Sequence, residues 1–406
     1  MFAGSGPVSA ENWPQYNGPF HNRTSSERIA PTSKPTILWK IPTHTGFSSF
    51  VVGGGKVYTV VKRAMDGHNR EVCIAVDVDS GKEGWSAATA PAKYNGQGNA
   101  GARDNRGGDG PRTTPSFYEG RVYVLDAQLG LHCLDGGTGR TIWKGDILRE
   151  HEGRLPRWQN ATAPLLDDGR VFVAGGGPGQ SLLAFKASTG DVVWAAHDER
   201  MTHATPVAAT IAGVRQIIFV THSGLMAVAP KTGKVLWRQP YPFSVSSAAS
   251  PVVYEDIVYC SAGYGVGAGA YRVKKNGTRM TTEQLWRKPN KLLNHWSTPV
   301  CRDGYLYGMF SFKKYGTGPL KCVDIRTGEV QWSAGGFGPG NCIAVGNHIV
   351  ALSDAGAVVL VEQTQQAYRE IFRTDAIDGK CWSSPSFSDG RLYVRSTMEG
   401  AALKFQ

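Results

Sequence analysis

One position, recurring once in each of eight repeats along the chain, gathers side chains suited to binding. Three residues before a marker proline, or its stand-in, it holds Phe47, Arg112, Ala161, His203, Ala248, Trp296, Pro339 and Trp382, and the residue before it adds Asn160 and His295. Aromatic faces interleaved with arginine and histidine suit a flat anionic ligand, through stacking and charge-assisted hydrogen bonds. The same bulky side chains could instead plug a channel, and residue types alone leave both readings open. Two oversized connections flank this position. The one from Trp85 to Thr113 is rich in Gly and Asn and carries Arg103, Asp104, Arg106, Asp109 and Arg112. The one from Trp143 to Thr162 carries Arg149, His151, Glu152, Arg154, Arg157 and Trp158. Long loops on a rigid scaffold are where function concentrates, so Arg157 and Trp158 join the candidate site.

Other chemistries find little footing. No Ser/His/Asp motif and no His pair at metal-ligand spacing occurs, and His203, His222 and His295 are isolated in sequence. The run Asp104-Asn105-Arg106-Gly107-Gly108-Asp109-Gly110 has the outline of a calcium loop, but lacks the alternating oxygen ligands and distal Glu that such loops use. It reads as a flexible turn, and neither a catalytic residue nor a metal ligand is assigned. The seven cysteines include no Cys-x-x-Cys pair. Six of them, Cys73, Cys133, Cys260, Cys301, Cys322 and Cys342, fall at apolar strand positions and read as small core residues, leaving Cys381 near the candidate face. A net charge of +11 raises the odds of an anionic partner. The charges are scattered, and no recognition helix, finger or RNP-like strand is visible, so nucleic acid is not the expected partner. No apolar run approaches the ~20 residues of a membrane-spanning helix.

The elements that must position the ring follow from the repeat itself. The stretch Ala75-Val76-Asp77-Val78-Asp79-Ser80-Gly81-Lys82-Glu83-Gly84-Trp85 returns, aligned on its Gly, at Cys133 to Trp143, Ala184 to Trp194, Ala227 to Trp237 and Cys322 to Trp332. Three worn copies complete the set. Ala270 to Trp286 is lengthened around Asn276-Gly277, Val359 to Phe372 has Gln365 for the Gly, and Ala402-Leu403-Lys404 runs out before any Trp. Upstream of each copy comes small-small-Pro, an apolar strand, a Gly turn and a second apolar strand, as in Thr113-Thr114-Pro115 through Gly120 to Val124. A period of about 40 to 50 residues with short strands predicts a propeller. The expected fold is therefore all-β: an eight-bladed β-propeller of four-stranded antiparallel blades. Each repeated Trp should fill the gap between neighbouring blades.

Residues 36–406 form this single domain. Residues 11–35 read as a Pro/Gly/Ser/Asn-rich lead-in. Within residues 1–10, Val8-Ser9-Ala10 fits the small-x-small rule of a signal-peptidase site, which points to an extracytoplasmic bacterial protein. Thr36-Ile37-Leu38-Trp39 reads as a fourth strand without its first three, and Pro385 to Phe405 as three strands without a fourth. Joined, they close the ring and remove an exposed sheet edge.

The pattern Ala-x-Asp-x-x-x-Gly-Lys-x-x-Trp at Ala75 to Trp85 resembles the tryptophan-docking motif of eight-bladed quinoprotein dehydrogenases. More broadly, the chain resembles the PQQ-binding-like β-propeller repeat family, which includes BamB. The opening Trp13-Pro14-Gln15 with Gly18-Pro19 is similar to secreted members from planctomycete-type bacteria. The resemblance covers residues 13–406 and is specific for fold rather than activity. It implies either of two functions. The first is a non-catalytic extracytoplasmic scaffold, a monomer without a confident cofactor, binding a protein or small anionic ligand at its loop-covered top face. The second is a PQQ-dependent oxidoreductase of alcohols or sugars. That alternative implies PQQ with calcium, a vicinal disulfide and a catalytic Asp, with Trp296 or Trp382 as a stacking floor. The chain has no adjacent cysteines to supply the disulfide.

Overall fold

The computed structural model describes residues 12–30, 34–94, 110–311 and 313–405. Each repeat folds into one antiparallel sheet, because each offers four short β-rich runs separated by turns. Eight sheets result, each meandering from an inner to an outer strand. Blade 1 runs from Val51 to Pro91, blade 2 from Ser116 to Asp146, blade 3 from Leu165 to Ala196 and blade 4 from Val207 to Pro240. Blade 5 runs from Val252 to Lys288, blade 6 from Val300 to Ala334 and blade 7 from Asn341 to Asp375. Blade 8 takes its three inner strands from Ser386 to Lys404, and its outer strand is Thr36–Pro42 from the other end of the chain. That strand pairs antiparallel with Glu399–Lys404, placing Trp39 opposite Ala402 and closing the ring as the sequence predicts. The one described helix is a single turn, Ile147–Glu150, inside the second oversized connection.

The expected role of the repeated tryptophans holds for most blades. Gly81, Gly139, Gly190, Gly233 and Gly328 all have positive φ, which glycine adopts without steric cost. Against each lies the Trp of the preceding blade: Trp39, Trp85, Trp143, Trp194 and Trp286 respectively, so close that a Cβ at the glycine would overlap the indole. The indole N–H then donates to a carbonyl of the next blade, from Trp39 to Val78, Trp85 to Gly136, Trp143 to Ala187, Trp194 to Pro230 and Trp286 to Ile325.

The departures have local causes. Blade 5 lengthens its outer hairpin, Gly267–Asn276 with Arg279–Lys288, so no Thr-Gly turn awaits Trp237, which donates to Gln216 of its own blade. In blade 7 Phe372 replaces Trp and packs on Phe405. Its neighbour is the composite blade 8, whose third and fourth strands come from opposite chain ends and share no turn.

One feature of the outer strands is absent from the sequence reading. In all eight, a β-bulge displaces the register just before the docked aromatic: Ala75 faces Trp85 while Val76 faces Glu83, and Leu403 faces Ile37 while Ala402 faces Trp39. The same shift occurs in the other six blades. The extra residue re-aims the ring toward the neighbouring blade. In blade 7 the small-residue register is held by Leu360, opposite Phe372, rather than by Val359.

Residues 12–30 run across the inner strands. The Trp13 carbonyl accepts from Val52 N of blade 1 and the Pro14 carbonyl from Phe117 N of blade 2. The Gln15 amide pairs in both directions with the Leu166 backbone of blade 3, and Thr24–Ser25 adds a parallel strand to blade 7. Trp13 is wholly buried.

Candidate functional site

The small-small-Pro marker has a structural use. The hydroxyl of the residue before the proline accepts a backbone N–H from the same position one blade earlier. Ser49 accepts from Ser384, Thr114 from Ser49, Thr205 from Ala163 and Thr298 from Ser250, all at 2.8–3.0 Å. This relay pins the connections at four of the blade junctions, and those connections carry part of the candidate ring.

The nine candidate residues separate into three groups. Asn160 is a buried clasp. Its Nδ2 donates to the Leu125, Asp126 and Thr162 carbonyls, and its Oδ1 accepts from Thr162 N and Oγ1. No capacity remains for a ligand.

Phe47, Trp296, Trp382 and His295 form an aromatic line. Trp382 stacks on Trp296 with ring centroids 4.2 Å apart and on Phe47 at 5.0 Å. His295 meets Trp296 edge-on at 5.1 Å, and the Trp296 N–H donates to the Pro339 carbonyl at 2.9 Å. Lys380 places its ammonium 4.3 Å from the Tyr315 ring centroid and 5.2 Å from that of Trp382. These side chains fill one another's faces. On this side of the mouth the structure favours the plug.

Arg157, Trp158 and His203 line a cavity of about 680 Å³ over blades 3 to 5, and Arg112 sits behind its wall. Arg112 Nη1 donates to the Trp158 carbonyl at 2.7 Å. His203 Nε2 contacts the Arg157 carbonyl at 2.9 Å; because a carbonyl only accepts, that nitrogen carries the proton. Burial, reinforced by the Arg112 charge, pushes the His203 pKa down to about 4. A neutral imidazole and a guanidinium thus hold two successive carbonyls of the second oversized connection. Trp158 and Gln159 both sit at positive φ, 68° and 62°, a strained backbone that persists only where its surroundings enforce it. The Arg157 guanidinium lies 4.5 Å from the Trp158 ring centroid.

Sequence reasoning gave several lining residues no place in the candidate ring. Arg154, Arg200, His222, Glu199 and Tyr264 also wall the cavity. Arg200, Glu199 and His222 come from the outer-strand exit of blade 3 and the second-to-third-strand turn of blade 4, away from the aligned position. Tyr264 also meets His295 edge-on at 5.1 Å, joining the cavity to the aromatic line. The acids here are already engaged: Glu199 pairs with Arg238 and accepts from Thr221, and Asp198 accepts from Gly179 N. Arg154, Arg157 and Arg200 form no ion pair among the described residues. A further carboxylate missed from sequence is Glu71, wholly buried behind Arg112, accepting from Tyr94 Oη and Ala127 N. Burial first, then the Asp126 charge, raises its pKa to about 7.

All seven cysteines are free and buried, Cys381 included, so it offers no reactive thiol at the face. Arg103, Asp104, Arg106 and Asp109 lie outside the described residues.

The family described as outer membrane protein assembly factor BamB matches residues 68–308, more than half of the chain. The chain belongs to this family of PQQ-like β-propellers. Among solved structures it is similar to quinohemoprotein alcohol dehydrogenase from Comamonas testosteroni, at 15% identity and TM-score 0.65, over 97% of this chain and 80% of that one. It is equally similar to BamB from Moraxella catarrhalis, at 15% identity and TM-score 0.63, over 92% of this chain and 98% of that one. The computationally designed Ika8 protein matches at 12% identity and TM-score 0.59, over 95% and 99% of the two chains. No curated protein sequence matches. At such identities these likenesses show the fold alone.

The two tryptophans named as a stacking floor cover each other's facing sides. A ring inserted between Trp296 and Trp382 needs roughly 7 Å, two van der Waals contacts, where the centroids are 4.2 Å apart. Among the described residues no three His, Cys, Asp or Glu side chains lie together as ligands.

Proposed function

We propose that this protein is a non-catalytic extracytoplasmic binding module that takes a small anionic ligand, or an acidic side chain of a protein partner, into the top-face cavity. The observation that carries this is the trio Arg154, Arg157 and Arg200, without ion pairs among the described residues, around a space of about 680 Å³ beside Trp158. Such a volume falls within the usual range for small-molecule sites, and guanidinium groups recognise carboxylates and phosphates by paired hydrogen bonds. The scaffold is rigid where it matters, because the carbonyls of Arg157 and Trp158 are held from two other blades. Membership of the family described as outer membrane protein assembly factor BamB supports the extracytoplasmic setting. The protein acts as a monomer, with its ring closed on itself.

The test is calorimetric titration with a panel of carboxylates, phosphates, pyrroloquinoline quinone with calcium, and a hexaglutamate peptide, at two salt concentrations. Salt-sensitive binding of any anion that is lost in the double variant R157A/R200A supports the reading. Binding that survives both substitutions, or dye-coupled oxidation of alcohols or sugars, overturns it.

A further inference from the structure

Far from the cavity, the lead-in segment carries a cation into the middle of the ring. Arg23 is 1% exposed. Its Nε and Nη2 donate to the Cys342 carbonyl at 3.2 and 3.0 Å, and Nη2 also reaches Asn341 Oδ1 at 3.3 Å and Ser384 Oγ at 2.7 Å. Every one of these partners is neutral, and Tyr16 adds a ring face 5.4 Å away. No carboxylate pairs with Arg23 among the described residues, and Nη1 is buried without any partner. An interior charge left uncompensated is costly, and a buried donor without an acceptor calls for an explanation such as an ion.

Asn17 Oδ1 and Ser386 Oγ are also buried and unpartnered. Asn17 is tied to Arg23 through its carbonyl, which accepts from Arg23 N at 2.7 Å. Arg23 itself is held at φ 66°, backbone strain that turns its side chain inward.

We propose that a small monovalent anion of the chloride class is enclosed beside the inner strands of blades 7 and 8, bound to Arg23 Nη1. The anion neutralises the Arg23 charge, and so couples residues 12–30 to ring closure. The site is distinct from the top-face cavity and does not depend on how that cavity is used.

The experiment refolds the protein from urea into gluconate, an anion too large for the site, and then into chloride or bromide at constant ionic strength. The expected result is a melting temperature several degrees higher with the small anions, saturating at millimolar concentration. Arg23→Met abolishes that dependence, whereas the surface control Arg140→Gln retains it. Crystals of wild-type protein refolded in bromide should show one ordered anomalous peak within hydrogen-bond distance of Arg23 Nη1, a readout that stands even if the Arg23 variant does not fold. A water at that position without anomalous signal, or equal melting temperatures in gluconate and bromide, overturns the proposal.

Discussion

Arg112 reaches from the connection before blade 2 to the Trp158 carbonyl in the connection before blade 3, 2.7 Å away. The side chain that the repeat alignment marked as a ligand contact is thereby spent as a clip between loops. Arg112→Ala should weaken anion binding by about 1.5–3 kcal/mol, the worth of a hydrogen bond to a charged group. It should act by releasing Trp158, so the fluorescence anisotropy of the 158 region falls along with affinity. Lost affinity with Trp158 still fixed would make Arg112 a direct contact.

Arg157 and Arg200 are exposed or line the cavity without ion pairs, so their loss should leave the fold intact. Replacing either by Ala should reduce affinity tenfold or more and flatten its salt dependence, with a change in unfolding free energy within about 0.5 kcal/mol. Urea denaturation beside calorimetry separates the two effects.

Trp194 stacks on Gly233 and donates to the Pro230 carbonyl at 2.9 Å. Trp194→Ala should cost about 3–5 kcal/mol of stability, whereas Trp194→Phe, which keeps a ring and loses one hydrogen bond, should cost about 1 kcal/mol for that bond. Phe372, which already lacks an N–H, should show no such second component. Chemical unfolding of the variants measures all three.

Arg395 of blade 8 is buried and donates to the Ser48 and Val60 carbonyls and to Thr59 Oγ1 of blade 1, and to the Thr43 carbonyl. Arg395→Met should cost more than 3 kcal/mol by stranding these acceptors at the seam. Limited proteolysis should then cut first between blades 8 and 1. Initial cleavage elsewhere would show that the seam is not the weak point.

His203 and His295 are both buried, and burial lowers their pKa values to about 4 and about 3. An unfolded chain takes up these protons near the ordinary histidine value of 6.5, so between pH 6.5 and 4 the unfolded state binds more protons. Stability is therefore full above pH 6.5 and falls through that window, by about 1.4 kcal/mol per pH unit for each histidine. Glu71, raised to about 7 from 4.5, works the other way, losing its contribution as pH rises from 4.5 through 7. Comparing wild type with His203→Gln isolates the histidine slope, and identical pH profiles would contradict its neutral state.

How far the sequence was legible depended on whether a role repeats. Trp85 meeting Gly139 is the same contact as Trp143 meeting Gly190, so the residue types recur and the blade count could be read directly. Strand Thr36–Pro42 was legible for the same reason, as a piece missing from one repeat and present at the other end. Roles made once left no such trace. Arg200, His222 and Tyr264 reach the cavity from turns that share no register with the aligned ring, and Glu71 shows no periodic signal at all. Trp296 and Trp382 carried the right chemistry for a platform, but composition cannot tell whether two rings face a ligand or each other. The Pro/Gly/Ser/Asn-rich composition of residues 11–35 reads only as a lead-in, because hydrogen bonds such as those of Gln15 with Leu166 link positions 151 apart and leave no local pattern.

The bulge before each docked ring has one more consequence. Each outer strand turns a row of backbone groups toward solvent, with Ile37, Ile142, Val192, Val330 and Ile371 exposed beside them. Eight such rims on one molecule would invite sheet-to-sheet polymerisation. A displaced register every time, at the same point, denies an incoming strand the regular ladder it needs to grow, so the irregularity that seats the tryptophans also keeps the molecules from knitting into fibres.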